Sequence, residues 1–206
     1  MSIRTAFFST AAAVSFTVLA SAASAAVIDF TDAATGTSGT VMGIAFTVTG
    51  MPVQANNNQM FDGTVPANSF GLAFDTDGFG VRDDEIGVRE SITVTFASLV
   101  KITGFAFLDL FESIMSPGTG EFGVATINGM DYTIGYSGED SGYAEQFINP
   151  VATTSVTFTA TSNNDDRGVL DGALAALEIA PIPLPAAGLM LLTALGGVAA
   201  LRRRKA

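Results

Sequence analysis

Apolar and polar residues alternate one for one through much of the middle of this chain, and that period leaves few folds open. A helix repeats its buried face about every 3.6 residues, whereas a strand sends neighbouring side chains to opposite faces. In "ITVTF" the apolar Ile92, Val94 and Phe96 face one way and Thr93 and Thr95 the other, which marks a strand with one face buried. Ile44, Phe46 and Val48 repeat the pattern in "GIAFTVTG", as do Val156, Phe158 and Ala160 in "SVTFTAT". "FGVATINGMDYTIGY" predicts two strands joined at Asn128 and Gly129, because a type I′ turn needs positive φ at both central residues and Asn-Gly tolerates it best. "LVKITGFAFLDLF" is apolar on both sides and predicts a more central strand, with Gly104 marking a bulge or a close backbone approach.

The last strand candidate, "GALAALEIA", is expected to point Ala175, Leu177 and Ile179 inward and Glu178 outward. Leu170, Leu174 and Leu177 also fit a helical spacing, but the segment is short, starts at Gly172 and runs into Pro181. With Val27 to Phe30 and Phe70 to Phe74, the tally reaches about eight or nine short strands separated by Gly, Asn and Asp clusters. The expected fold is all-β, an antiparallel β-sandwich of jelly-roll type formed by one domain over residues 26–180. A body of about 155 residues is long enough to bury about two thirds of its unfolded surface.

All 20 acidic residues lie between Asp29 and Glu178, and only Arg82, Arg89, Lys101 and Arg167 oppose them there, which leaves the body at −16. Such a body repels phosphate, so nucleic acid is excluded as a partner. The chain has no His and no Cys, which removes Ser-His-Asp and Cys-His nucleophile systems and the usual zinc sites. Carboxylate chemistry survives, since glycoside hydrolysis needs only two acids at a defined separation. The expectation is nevertheless a non-enzyme, with a carboxylate-based glycosidase as an alternative. A second alternative is a calcium-dependent carbohydrate-binding module. The chain has no Trp, and Tyr132, Tyr136 and Tyr143 are explained as well by core packing as by a sugar platform.

Calcium is the cation the acids would take, through "DTDGFGVRDDEIGVRE". There Asp75, Asp77, Asp83, Asp84 and Glu85 are the candidate ligands, and interleaved glycines let the chain fold its oxygens toward a point. The EF-hand spacing is not met, because Phe79 and Ile86 occupy positions that would carry ligands. Asn163, Asn164, Asp165 and Asp166 read more simply as a polar turn.

The two ends of the chain differ from the body. Arg4 precedes the apolar run "AFFSTAAAVSFTVLA" and the small-residue string "SAASAA", the order of a secretory signal peptide over residues 1–25, with cleavage in the region of Ala23, Ala25 and Ala26. At the other end Pro181, Pro183 and Pro185 precede an apolar run from Ala186 to Leu201, and Arg202, Arg203, Arg204 and Lys205 follow. That run makes about 24 Å of helix, against a hydrocarbon core of about 30 Å, so it is a short transmembrane anchor whose basic end extends its reach. The positive-inside rule puts the basic cluster in the cytoplasm and the acidic body outside. The prolines hold the preceding segment extended, the form in which a processing enzyme's cleft takes its substrate.

This three-part end, with Pro181, Ile182, Pro183, Leu184, Pro185 and Ala186 as its motif, resembles the PEP-CTERM sorting signal of Gram-negative bacteria, in its VPLPA-CTERM variant. Isoleucine stands where valine is usual. The resemblance covers about the last 26 residues (181–206) and rests on the ordered combination. It implies an exosortase as processing partner, transient anchoring in the inner membrane, and delivery of the body to the cell surface or to the extracellular matrix of a biofilm. Extracellular polysaccharide is a further partner to expect there. An unprocessed single-pass anchored protein is the other reading of the same tail.

Overall fold

The computed structural model describes residues 24–83, 85–113, 118–136, 141–162 and 172–182. Among them are ten strands: β1 (Ala26–Asp29), β2 (Ser38–Val41), β3 (Ile44–Met51), β4 (Ala55–Asn56), β5 (Gly80–Val81), β6 (Ser91–Leu108), β7 (Glu121–Ile127), β8 (Met130–Gly135), β9 (Ala144–Ser162) and β10 (Ala173–Ala180). Eight form one antiparallel sheet in the order β1-β10-β6-β9-β7-β8, with β3 also on β6 and β2 on β3, while β4 and β5 pair apart from it. The chain is thus all-β, as the alternation predicts, and no described residue is helical.

Two long strands organise the rest. The segments "ITVTF" and "LVKITGFAFLDLF" do not form separate strands but merge into β6, and "SVTFTAT" is the second half of β9. The first part of β6 lies between β3 and the end of β9, through pairs such as Val48 with Val94 and Val94 with Val156. Its second part lies between β10 and the start of β9, through Leu177 with Phe105 and Phe105 with Gln146. Between the parts the β6–β9 register slips twice. β6 runs from Thr95 to Val100 while β9 moves only from Ser155 to Thr153, and β9 then runs from Val151 to Phe147 while β6 moves only from Ile102 to Gly104. Pro150 falls in the second slip, where its missing N–H breaks no regular ladder. Gly104 meets both parts of its expectation: it lies at the slip, and a Cβ there would sit 3.0 Å from Phe70 Cζ and 3.1 Å from the Gln146 carbonyl oxygen.

The inward faces carry the apolar alternation into one core. Ile92, Val94 and Phe158 are fully enclosed, and Phe46, Val48, Phe96 and Val156 nearly so. Phe158, from the end of β9, meets Phe105 and Phe107 from the second part of β6 with ring centroids 6.2 and 5.9 Å apart. Tyr132 and Tyr136 pack against this core from the β8 side. The β7–β8 hairpin turns at Asn128 and Gly129 with φ of 52° and 77°, as a type I′ turn requires.

Two expectations need correction. In β10, Leu174 pairs with Phe107 and Ala176 with Ala106, so Ala175 is an extra, bulged residue. The bulge turns the strand over: Leu174, Leu177 and Ile179 enter the main core, whereas Ala173, Ala175 and Ala176 join a second cluster with Phe70, Leu72, Phe74 and Tyr143. The three-residue step from Leu174 to Leu177, which imitates a helix, is the trace of that bulge. Glu178 is half-buried and accepts a hydrogen bond of 2.7 Å from Thr103 Oγ1.

Phe70 to Phe74 forms no strand, although its burial alternates as a strand's would. Its N–H groups bond to side chains instead of a ladder: Leu72 donates to Asn68 Oδ1, Ala73 to Asp29 Oδ2 and Phe74 to Thr31 Oγ1. Gly71 and Phe74 take positive φ, which a regular strand does not allow. The apolar period reports the cluster the segment covers, not the partner of its backbone.

β7 approaches the second part of β6 so closely that a Cβ on Gly123 would lie 2.6 Å from Cγ and Cε2 of Phe107. Gly123→Ala is expected to destabilise the fold by about 1–3 kcal/mol through overpacking. Urea unfolding measures this, and an unchanged midpoint would contradict the close approach of β7 to Phe107.

Candidate functional site

Both ends of the folded body meet at one strand pair. β1 and β10 are antiparallel with Ala26 opposite Ile179, so the first strand starts where the last one stops. Ala25, in the expected signal cleavage region, is exposed immediately before β1, and Pro181 follows β10 directly. Ala25, Ala26, Pro181 and Ile182 are thereby brought to one end of the sheet. Ala23, the rest of the sorting motif (Pro183, Leu184, Pro185 and Ala186), the apolar segment 186–201 and the basic Arg202, Arg203, Arg204 and Lys205 lie outside the described residues. Among the described residues no helix is long and apolar enough to cross a membrane.

The described acids of the loop are spread along it. Asp75 is exposed, Asp77 is buried, and β5, paired back to β4, intervenes before Asp83 and Glu85. The loop's backbone is held by ordinary local bonds. The Asp75 N–H donates to the Thr31 carbonyl at 3.0 Å, Val81 to the Glu85 carbonyl at 2.7 Å, and Glu85 to Asp83 Oδ1 at 3.4 Å. Glu90, at the end of the loop, pairs with Arg82 at 3.2 Å. Among the described residues no three acids converge on a point that would hold a metal ion, and Asp84 lies outside them.

Two other acids, which the sequence does not single out, do organise their surroundings. Asp29, on β1, accepts from the Thr31 N–H at 2.9 Å and hydroxyl at 2.6 Å, and from the Ala73 N–H at 2.7 Å. Glu145, on β9, accepts from the Ser69 N–H at 2.8 Å, from the Ser69 hydroxyl, and from the Tyr143 hydroxyl at 2.7 Å. Each carboxylate ties a strand to the segment from Ser69 to Phe74, which closes the second apolar cluster. The spacing in sequence is 44 residues for one bond and 76 for the other, so no local motif announces either.

Burial opposes ionisation of Glu145, but the two bonds from Ser69 and the one from Tyr143 outweigh it and hold the carboxyl below its usual range. Burial pushes the Tyr143 hydroxyl well above the usual tyrosine range, helped by its bond to Glu145 and by the negative charges of Glu145 and Asp29.

Beside β1 an open pocket of about 330 Å3 lies against β2, lined among others by Val27, Asp29, Asp32, Ser38 and Thr40. Asp29 uses both its oxygens in the bonds above, and Asp32 Oδ1 caps the Ala34 N–H at 2.8 Å. These carboxylates hold loops. No family model, no curated protein and no solved structure matches the chain.

The two shifted groups act at opposite ends of the pH scale. The Glu145 contribution is present above its unfolded pKa of about 4.3 and is lost as pH falls through the lower folded value. The Tyr143 contribution is present below an unfolded pKa of about 10 and is lost as pH rises above it. Glu145→Gln is therefore expected to flatten the acid limb of melting temperature against pH, and Tyr143→Phe the alkaline limb. Variant curves running parallel to the wild type on those limbs would contradict these assignments.

Proposed function

We propose that this chain is an exported, non-catalytic surface or matrix protein. A signal peptide ending near Ala25 delivers it, and an exosortase-type enzyme processes it at the motif from Pro181 to Ala186. The observation that carries this reading is where the body ends. β1 begins one residue after Ala25 and β10 stops one residue before Pro181, with their ends paired. Removal of the leader and of the tail would leave every described strand intact. The processing segments would both leave from one end of the body, where a membrane-embedded enzyme reaches the proline motif while the acidic domain stands clear of the bilayer.

The body is read as a β-sandwich whose two layers share β6 and β9. One layer is β2-β3-β6-β9-β7-β8, through the first part of β6 and the last part of β9, and the other is β1-β10-β6-β9 through the remaining parts. Contact of Phe158 with Phe105 and Phe107, and of Gly123 with Phe107, supports the layers facing each other. The basic residues from Arg202 to Lys205 would stay in the cytoplasm until the tail is removed. At the surface the net negative body would keep the protein soluble and away from anionic headgroups.

Mass spectrometry of the protein from the surface fraction of an exporting Gram-negative cell tests the reading. The expected C-terminus lies near Pro185, with "LRRRKA" absent. An intact C-terminus in the inner membrane would make the chain an ordinary single-pass protein.

A further inference from the structure

One face of the larger set of strands carries ranks of hydroxyls in register. Thr49 of β3 stands opposite Thr93 of β6, Thr93 opposite Thr157 of β9, and Thr157 opposite Thr126 of β7. A second rank two residues along joins Thr47, Thr95 and Ser155. These are the positions that alternate with the buried Val48, Val94, Val156 and Phe158, so they form the outer face. Neighbours within a rank are separated by the interstrand spacing of about 4.8 Å, and the ranks by about 6.7 Å, twice the rise per residue. Thr93 and Thr157 hydroxyls bond to each other at 3.0 Å, and the Thr49 hydroxyl donates to the Thr93 carbonyl at 3.4 Å. Branching at Cβ restricts these side chains further, so the array is set before anything binds.

The same face is free of charge in a body that carries −16. No Asp, Glu, Lys or Arg occurs in 44–51, 91–100 or 151–162. The first charge beside the ranks is Asp131 at the β8 edge, which accepts from the Thr126 hydroxyl at 2.7 Å. A charged polymer would find no ionic partner on this patch. An aromatic platform for sugar rings is missing from 44–51, 91–100 and 151–162 too, since the rings there (Phe46, Phe96, Phe158) all point into the core. What the patch offers is a repeating pair of groups: a hydroxyl oxygen with acceptor lone pairs, whose proton in the first rank is already held by internal bonds for Thr49, Thr126 and one of Thr93 and Thr157, and, on each threonine, a methyl around which water orders. Waters held at each hydroxyl would repeat in two dimensions with the strands.

We propose that this face, centred on β3, the first part of β6 and the last part of β9, binds the surface of ice. The rigid ranks hold ordered water in a two-dimensional repeat that an ice lattice continues, so little immobilisation entropy remains to be lost on contact. Sheet twist of about 20–25° per strand confines the near-flat area to these central strands, which is where the ranks are complete.

Thermal hysteresis and ice recrystallisation of the purified full chain test this, with variants checked for wild-type circular dichroism and melting temperature. The wild type is expected to open a gap between melting and freezing and to keep ice grains small. Thr95→Tyr, and separately Thr47→Tyr, should abolish both effects by lifting the lattice off the ranks, whereas Thr64→Tyr on an exposed loop should leave them unchanged. Absence of a gap in the wild type would overturn the proposal, and so would a gap that survives both rank substitutions. Retention on an insoluble neutral polysaccharide with no effect on ice would also overturn it and make the face a glycan surface.

Discussion

The fold hangs on the pairing of β6 with β9. Each strand is long enough to serve two sets of neighbours, and the double register slip between Thr95 and Gly104 is what lets it do so. A bulge of this kind bends a strand and raises its twist, so residues two sheet-lengths apart come to share one interior. Phe158 illustrates the result. It lies on the part of β9 that pairs with β7, yet its ring packs on Phe105 and Phe107 from the part of β6 that pairs with β10. Truncating such a ring costs about 3–5 kcal/mol, a large share of the 5–15 kcal/mol on which a domain of this size stands. With no Cys to close loops covalently, the packing of these rings carries the weight that disulfides carry in many exported domains.

Around that core the polar interactions act at chosen points. Asp29 and Glu145 fasten the non-strand segment from Ser69 to Phe74 to β1 and β9, and so close a second apolar cluster over the far side of β10. This is why β10 is buried on both faces while β1, next to it, ends the sheet. The threonine ranks of β3, β6 and β9 are a charge-free part of the outside of the molecule.

Much of this was legible in the sequence because one-face burial writes a period of two directly into the residues. Val94 with Thr93 and Thr95, or Phe158 with Thr157 and Thr159, announces both the strand and the side it buries. The Asn128-Gly129 hairpin was legible for a different reason, as a backbone that needs positive φ twice in succession. The failures share a cause as well. Periodicity reports which side of a segment is covered, and it is silent about what its N–H groups bond to. Phe70 to Phe74 alternates as a strand would, but Asn68, Asp29 and Thr31 take its donors. In β10 one bulged alanine shifts the period and mimics a helix. Short partners such as β2, β4 and β5, two to four residues each, have too few positions to show any period. Asp29 and Glu145 were invisible as anchors since their partners are tens of residues away.

The proposed function joins this body to its tail through one physical idea: a proline segment beyond the end of β10 would be offered to a cleft in extended form, and the apolar, basic-ended run behind it would hold that segment at the membrane. Replacing Pro181, Pro183 and Pro185 together with alanine, and following the chain between inner membrane and cell surface in an exosortase-bearing host, tests the idea most directly. The expected result is a properly folded body that accumulates in the inner membrane with its basic C-terminus intact. Normal arrival at the surface with the tail removed would show that the prolines are not what the processing enzyme reads, and would contradict the sorting assignment.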